Sequence, residues 1–380
     1  MRILVVHPHL YVVGGSEILT KILVYELASQ GHEIVVCTHH KRDDLFPSAK
    51  NVHFEFFKEL QEVRDKVSEI TWRIMNLHYT FEEVLRKWEP HVVLLMIQEP
   101  IYAVLIKAVK PEMGVAMYIH YPFEEELTPE NLRKFIEMYR FPNLYGSFYR
   151  VVDIHMTNSN YTAKALHKHF GIESNVVYPA VDWDYFTEEI NVEEERENII
   201  VSVGRFVPQK RHDVLLELFA KKIKPVVKDA KLMIVGIKDV RYEDYYNKLV
   251  ERAKEVPDVE IVDRALTPKE MREIYRKAKI YVHMRIGEHF GMAPVEAMSQ
   301  GAIPILPRKS GLAELITQGR NGFTFESDDE VATYVNKLLQ APKEEIVTMR
   351  KYAYRSAWYF NPDRFAKEVL NYLKLLTESE

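Results

Sequence analysis

Glu288 and Glu296 stand eight residues apart in the run RIGEHFGMAPVEAM, with Gly291 between them. One carboxylate can accept hydrogen bonds from two neighbouring hydroxyls, and a glycine where a helix begins lets main-chain amides approach a ligand oxygen. The run therefore suits a ribose or hexose diol, although either glutamate taken singly more often reads as a solvated helix charge. Upstream, Arg205 and Lys210 lie in VSVGRFVPQKRHDVLLE. Two cations on a loop after an apolar run suit a diphosphate, because they stabilise negative charge that grows as a bond to it breaks; two surface charges are the plain alternative. Near the start, Gly14 and Gly15 in HLYVVGGSE precede a helical pattern whose first N–H groups and positive dipole end favour a phosphate. An ordinary tight turn reads the same way, and the spacing is not the GxGxxG of a nicotinamide-dinucleotide site.

Such groups need a sheet edge to hold them. Short apolar runs at Ile3–His7, Glu33–Cys37, Val92–Ile97, Val115–Ile119 and Val152–Thr157 alternate with helical patterns at Ser16–Gln30 and, long and charged, about Lys58–Trp88. The rhythm restarts with runs at Ile199–Val203, Leu232–Val235, Val259–Val262, Ile280–His283 and Ile303–Leu306. Continuously apolar strands separated by helices predict parallel sheets covered on both faces, here two doubly wound α/β domains, 1–178 and 179–361. Pro179 removes a backbone donor and keeps Tyr178 out of helix, which marks a hinge. A helical stripe of Phe365, Val369, Leu370 and Leu373 ends the chain, and the 362–380 segment is expected to pack back on the first domain.

The 380 residues exceed one ordinary core, and a net charge of −5 argues against a nucleic-acid partner. Cys37 is the only cysteine, which excludes a disulfide framework and favours a reducing cytoplasm. No apolar run reaches the ~18 residues of a spanning helix, so membrane contact is expected to be peripheral at most. The mixture of Lys, Arg, Phe and Tyr over Asn131–Arg150 would serve such contact, or would pack as an ordinary helix pair. Asp182 and Asp184 form a D-x-D pair after the hinge proline, which reads as capping. The pairs His39 with His40 and His167 with His169 lack ligand spacing for a metal.

Together these segments resemble the retaining glycosyltransferases of family 4, which have the GT-B architecture of two doubly wound parallel-sheet domains facing a cleft. The resemblance rests on GGSE, YIHYPF around His120, TNSNYTAKAL from Thr157, YPAVDWDYF, GRFVPQKRHDVLLE, EHFGMAPVEA and SGLAELI, and covers nearly the whole chain. It implies that Gly14 and Gly15 lie over the donor diphosphate, that Arg205 and Lys210 hold that diphosphate, and that Glu296 bonds the nucleotide ribose. It also implies that Glu288 and the amides of Phe290, Gly291 and Met292 grip the donor sugar, with His120 on the sugar and acceptor side. The motifs look most like mannosyltransferases that build oligosaccharide-lipid precursors, so GDP-mannose is the first donor expected and a UDP-sugar the second. No metal and no resident cofactor are expected, and the acceptor is a glycan or lipid-linked sugar. Two departures are Met284 and Arg285, where the family has small residues, and the missing second glycine in SGLAELI.

Overall fold

The computed structural model describes residues 1–121, 146–186 and 189–377. Residues 131–145 of the aromatic-basic stretch lie outside the described residues.

The first unit comprises Met1–Ala180 and Pro362–Glu380. Its strands β1 (Arg2–Val6), β2 (Glu33–Thr38), β3 (Val52–Phe56), β4 (Val92–Leu95), β5 (Val115–Ile119), β6 (Ile154–Thr157) and β7 (Asn175–Val176) form one sheet in the order 3-2-1-4-5-6-7. Every pairing is parallel, with Leu4 opposite Val35 on one side and Val93 on the other. Ile3–Val6 and Val92–Leu95 have no exposed surface, as strands covered on both faces require. The chain leaves β1 in two directions, to β2 and then, after returning, to β4, so a topological switch point lies at the carboxyl ends of β1 and β4.

Among the described residues the helices α1 (Gly15–Ser29), α2 (Glu69–Trp88), α3 (Ile101–Val109) and α4 (Asn160–Phe170) connect these strands. The long pattern from Lys58 breaks at Ser68, whose hydroxyl accepts from the Thr71 amide and so starts α2 there. Two edge strands of this unit carry no strand signal that the sequence alone picks out. β3 is VHFEF, polar at alternate positions, with Glu55 accepting from Trp88 Nε1 at 2.7 Å, and β7 is two residues long.

The second unit, Val181–Asn361, repeats the plan with β8 (Ile199–Val203), α5 (His212–Leu218), β9 (Lys231–Gly236), α6 (Glu243–Lys254), β10 (Val259–Asp263), α7 (Pro268–Lys277), β11 (Ile280–Val282), α8 (Met292–Ser299), β12 (Ile303–Pro307), β13 (Phe323–Phe325), α9 (Asp328–Gln340) and α10 (Lys343–Ala357). Its parallel order is 10-9-8-11-12-13, which places the switch point at the carboxyl ends of β8 and β11. The Asp182 carboxylate accepts from the Asp184 amide at 3.3 Å and caps a short turn.

The last helix, α11 (Pro362–Leu375), returns to the first unit and buries Phe365, Ala366, Val369 and Leu373 against residues of β1, β2 and α1. Arg364 fastens this return by donating to the carbonyls of Tyr178 at 2.6 Å and Pro179 at 2.9 Å. Among the described residues no helix is long and apolar enough to cross a membrane.

Candidate functional site

In the second unit the chain turns out of β11 through Met284–Gly287 and presents Glu288 at the sheet's carboxyl edge. The Glu288 main chain is held by a bridge to Ser310, since Gly311 donates to its carbonyl at 2.9 Å and Gly287 donates to the Lys309 carbonyl at 2.8 Å. The SGLAELI segment is therefore the floor of the Glu288 loop.

On the side chain, Oε2 receives the Lys210 ammonium at 2.7 Å and lies 3.3 Å from His283 Nε2, while Oε1 lies 3.8 Å from the Arg285 guanidinium. Burial opposes ionisation of this carboxyl, but Lys210, His283 and Arg285 outweigh it and hold Glu288 well below the ordinary carboxylate range. Burial in turn lowers the His283 pKa, so its ring is neutral at physiological pH. An ionised Glu288 then requires the ring proton on Nε2, leaving Nδ1 as acceptor towards the Tyr281 hydroxyl, 3.4 Å away. Tyr281 and His283 stack at 15° between planes, as residues two apart on one side of a strand can.

Lys210 reaches Glu288 because the β8–α5 loop is fixed at both ends. His212 Nε2 meets the Gly204 carbonyl at 3.2 Å, and Phe206 N donates to Ile237 O at 3.1 Å across to the neighbouring β9 loop. Arg205 points elsewhere. It is 65% exposed and lies 3.3 Å from the Asp239 carboxylate, which also takes Arg241 at 2.7 Å. Lys210 and Glu288 are thus brought together, whereas Arg205 is engaged with a separate acid at the rim of the same edge.

Gly291 caps the start of α8 with φ +88, a left-handed conformation that favours glycine, and no side chain caps that helix end. Phe290 is buried, and Met292 opens the helix. One turn further, Glu296 accepts from the Tyr275 hydroxyl at 3.1 Å. Burial, only partly offset by Tyr275 and Tyr185, raises its pKa to about 7.

The first unit's edge is built from different groups. Gly14 is extended, so its value is space: a Cβ there would come within 2.5 Å of the Glu17 carboxylate, which folds back over the turn. Gly15 begins α1. His7, at the end of β1, sits 3.2 Å from the Ser16 hydroxyl and 3.7 Å from Glu17. Burial first, then the neighbouring His120 and His9, press His7 down to about 3. His120, after β5, has Nε2 3.1 Å from the Met96 carbonyl, and burial lowers its pKa to about 4. Asn158 holds the His120 carbonyl at 2.7 Å. Among the described residues no group of three or more His, Cys, Asp or Glu is placed to hold a metal ion.

The model described as Glycosyltransferase Family 4 matches residues 13–185, and that described as Glycosyl transferases group 1 matches residues 186–356. The chain belongs to glycosyltransferase family 4. This family 4 chain is 26% identical over 300 residues to the GDP-Man:Man(3)GlcNAc(2)-PP-Dol alpha-1,2-mannosyltransferase of Dictyostelium discoideum, covering 69% of this chain and 59% of that one. It is 29% identical to the human protein of the same description, with 64% and 52% covered. The chain thus spans about half to three-fifths of the length of these curated relatives. The lipopolysaccharide 1,2-N-acetylglucosaminetransferase of Salmonella typhimurium is 24% identical, with 70% and 69% covered. Among solved structures, the sucrose-phosphate synthase of Thermosynechococcus elongatus matches at TM-score 0.78 and 15% identity over 100% of both chains. HepE of Anabaena, in complex with UDP and glucose, matches at 0.74 and 16% over 99% of this chain and 100% of that one. These likenesses establish the GT-B fold of this family 4 glycosyltransferase.

Three participants escaped the reading of the sequence. His283 appeared there only as the end of a strand, although its place two residues after Tyr281 puts both on one side of β11. Asp239 is visible only once β9 is known to lie beside β8. Glu17 is three residues from Gly14, one helical turn on, a spacing that was readable in GGSE.

Proposed function

We propose that the chain transfers a mannosyl unit from GDP-mannose to a glycan or lipid-linked acceptor, with retention of anomeric configuration and without a metal ion. The observation that carries this reading is the Lys210–Glu288–His283 cluster at the carboxyl edge of the second sheet. There a cation and a carboxylate are each satisfied by the other, and both can be turned to a ligand carrying a diphosphate and a hydroxylated ring. The diphosphate takes over Lys210, with Arg205 added from the rim. Freed from Lys210, Glu288 accepts hydroxyls of the donor sugar while His283 keeps its contact with Oε2 and so the carboxylate's orientation. Glu296 accepts from the ribose, and the amides of Phe290, Gly291 and Met292 serve the sugar. Gly14, Gly15 and His120 take the roles that the family resemblance implies for them.

In the transfer itself, the bond from C1 of the sugar to the diphosphate oxygen breaks and a bond from C1 to the acceptor oxygen forms on the same face. The acceptor proton passes to the departing phosphate oxygen, so no protein nucleophile is required. Lys210 and Arg205 stabilise the charge that develops on the leaving diphosphate, the kind of preorganised term that dominates many enzymes.

The mannosyl donor is favoured by the descriptions of the Dictyostelium and human relatives. A UDP-linked donor is the second reading, favoured by the Salmonella relative and by the UDP held in HepE. A thermal-shift panel of nucleotide sugars ranks the donors, because a ligand that binds only the folded chain raises its melting point. Release of nucleotide from the best donor, unchanged by EDTA, is the expected result. Release abolished by the chelator overturns the metal-free mechanism, and binding without release from any donor leaves a sugar-nucleotide binding protein instead.

A further inference from the structure

The carboxyl ends of β2 and β3 border an open cavity of about 520 Å³ lined by His39, His40, Phe56, Phe57 and Glu59. None of these residues belongs to the donor machinery described above. Phe57 is buried and forms the floor, with the His39 ring 4.6 Å from it. Phe56 is 50% exposed at the end of its strand, and Tyr11, 47% exposed, stands 6.1 Å from His40. Large aromatic rings left half in solvent at the mouth of a cavity call for a ligand with an apolar face.

The walls are held in place by the backbone. His39 N donates to Pro8 O at 3.2 Å, and Phe57 N donates to Thr38 O at 3.0 Å, which ties the loops after β1, β2 and β3 to one another. The polar groups are imidazoles, which donate and accept, and the Glu59 carboxylate, which accepts from Gln61 at 2.9 Å. A carboxylate in the wall disfavours a phosphate or other anion. Rings for C–H faces, with imidazole and carboxylate atoms for hydroxyls, select a neutral pyranose.

The place in the fold carries the inference further. The cavity is on the ligand-binding edge of its sheet, two strands along from β1, or about 10 Å at ~4.8 Å per strand. Tyr11, on the loop that leads to Gly14 and Gly15, spans the interval. We propose that this cavity is a subsite for an internal sugar of the acceptor glycan, one or two rings back from the hydroxyl that receives the transferred unit. The assignment rests on the transferase reading above and adds to it the requirement that the acceptor be an oligosaccharide.

The test uses the full chain and soluble, lipid-free probes: methyl α-mannoside and linear mannose di- and trisaccharides, with glucose and N-acetylglucosamine series alongside. Affinities come from saturation-transfer NMR, and folding of each variant is checked by its melting curve. For one of the series, the wild-type chain should bind the trisaccharide about tenfold more tightly than the monosaccharide, a gain of the size expected for one stacked ring and its hydrogen bonds. Phe56→Ala and His40→Ala, both at exposed positions, should each remove most of that gain, while Val226→Ala, exposed on the other unit, should not. No length dependence in any series, or a Phe56→Ala chain that keeps it, overturns the subsite. Nucleotide release is measured on the same wild-type samples. Length-dependent binding through Phe56 without nucleotide release would sink the transfer reading and uphold the cavity as a glycan site, and release without length dependence would do the reverse.

Discussion

The two sheets share a parallel, doubly wound plan with a switch point at their carboxyl ends, yet the groups gathered there differ in charge. The second unit's edge holds ions: Lys210 on Glu288, and Arg205 and Arg241 on Asp239. Around β1 and β5, the first unit's edge holds imidazoles kept neutral by burial. His7 and His120 are pressed down to about 3 and about 4, and the Glu17 pKa is raised. Topology therefore fixes where a ligand sits and leaves its chemistry to the loops. An edge that stores paired charge is suited to a diphosphate. An edge of neutral imidazoles and aromatic rings is suited to hydroxyl groups, which need both donors and acceptors.

The comparison breaks most visibly at Lys210. Lys210→Ala removes the cation assigned to the diphosphate and also strips Glu288 of its principal partner. Turnover should fall about 100- to 1000-fold, as for loss of one preorganised charge-stabilising group. The counterpart His7→Gln, on the neutral edge, should cost less than about tenfold in steady-state turnover. Comparable losses from the two substitutions would show that charge is not what separates the edges.

The pH dependence of stability bounds the same contrast, because the charged edge also holds one carboxyl, Glu296, that burial keeps protonated. Glu296 keeps its proton in the folded chain up to about 7 against an ordinary value of 4.5, so stability falls as pH rises through that window. His7 is neutral in the folded chain down to about 3 against an ordinary 6.5, so its contribution falls as pH drops below 6.5. Glu296→Gln should flatten the first slope by about 2 kcal/mol, and His7→Gln should flatten the second by about 2 kcal/mol between pH 6.5 and 5. Melting temperatures across pH 4.5–8 for the three chains check this. The quantity read is each slope, since the His7 substitution also loses the contact with Ser16.

His283 is the next smaller case. It acts through Glu288 and so is a positioning residue. His283→Phe should raise the Michaelis constant for donor about tenfold with a smaller change in turnover number, in line with losses at groups that orient a ligating side chain. His283→Asn, whose amide can still donate to Glu288, should recover most of it. A Phe variant indistinguishable from wild type would mean that Lys210 and the Ser310 bridge suffice to aim the carboxylate.

How much of this was legible in the sequence depends on the range of the contacts involved. Strand cores such as Val115–Ile119 and Ile199–Val203 appear at the same residues in the structure, because a strand covered on both faces must be apolar throughout. The edge strands Val52–Phe56 and Phe323–Phe325 were not visible, one because it alternates and the other because it is three residues long. At the site, Lys210 and Glu288 stand out in the sequence by their types on loops after strands. Their direct pairing across 78 residues was not readable, since it depends on β8 and β11 being neighbours. For the same reason Arg205 and Lys210 looked like one cationic pair in the sequence, whereas folding gives each its own acid. The exposed rings of the first unit's cavity gave no local signal, because Tyr11, His40 and Phe56 meet only when three loops converge.

The smallest effect is expected at the rim. The Arg205–Asp239 pair is spaced at 3.3 Å with the arginine 65% exposed, and water and salt screen such a pair, so its loss should leave stability nearly unchanged. Its value lies in a guanidinium already standing at the ligand edge, with Asp239 able to retain Arg241 when Arg205 moves. Arg205→Gln should therefore leave the melting temperature nearly unchanged and raise the donor's Michaelis constant about threefold at low salt. That difference should shrink towards ~1 M salt, where the screening length falls to ~3 Å. The Lys210 effect should persist there, because its pair is only 19% and 16% exposed. A loss at Arg205 that is as large as that at Lys210 and equally resistant to salt would place both cations in the same buried contact with the diphosphate, and would erase the distinction between the floor and the rim of the charged edge.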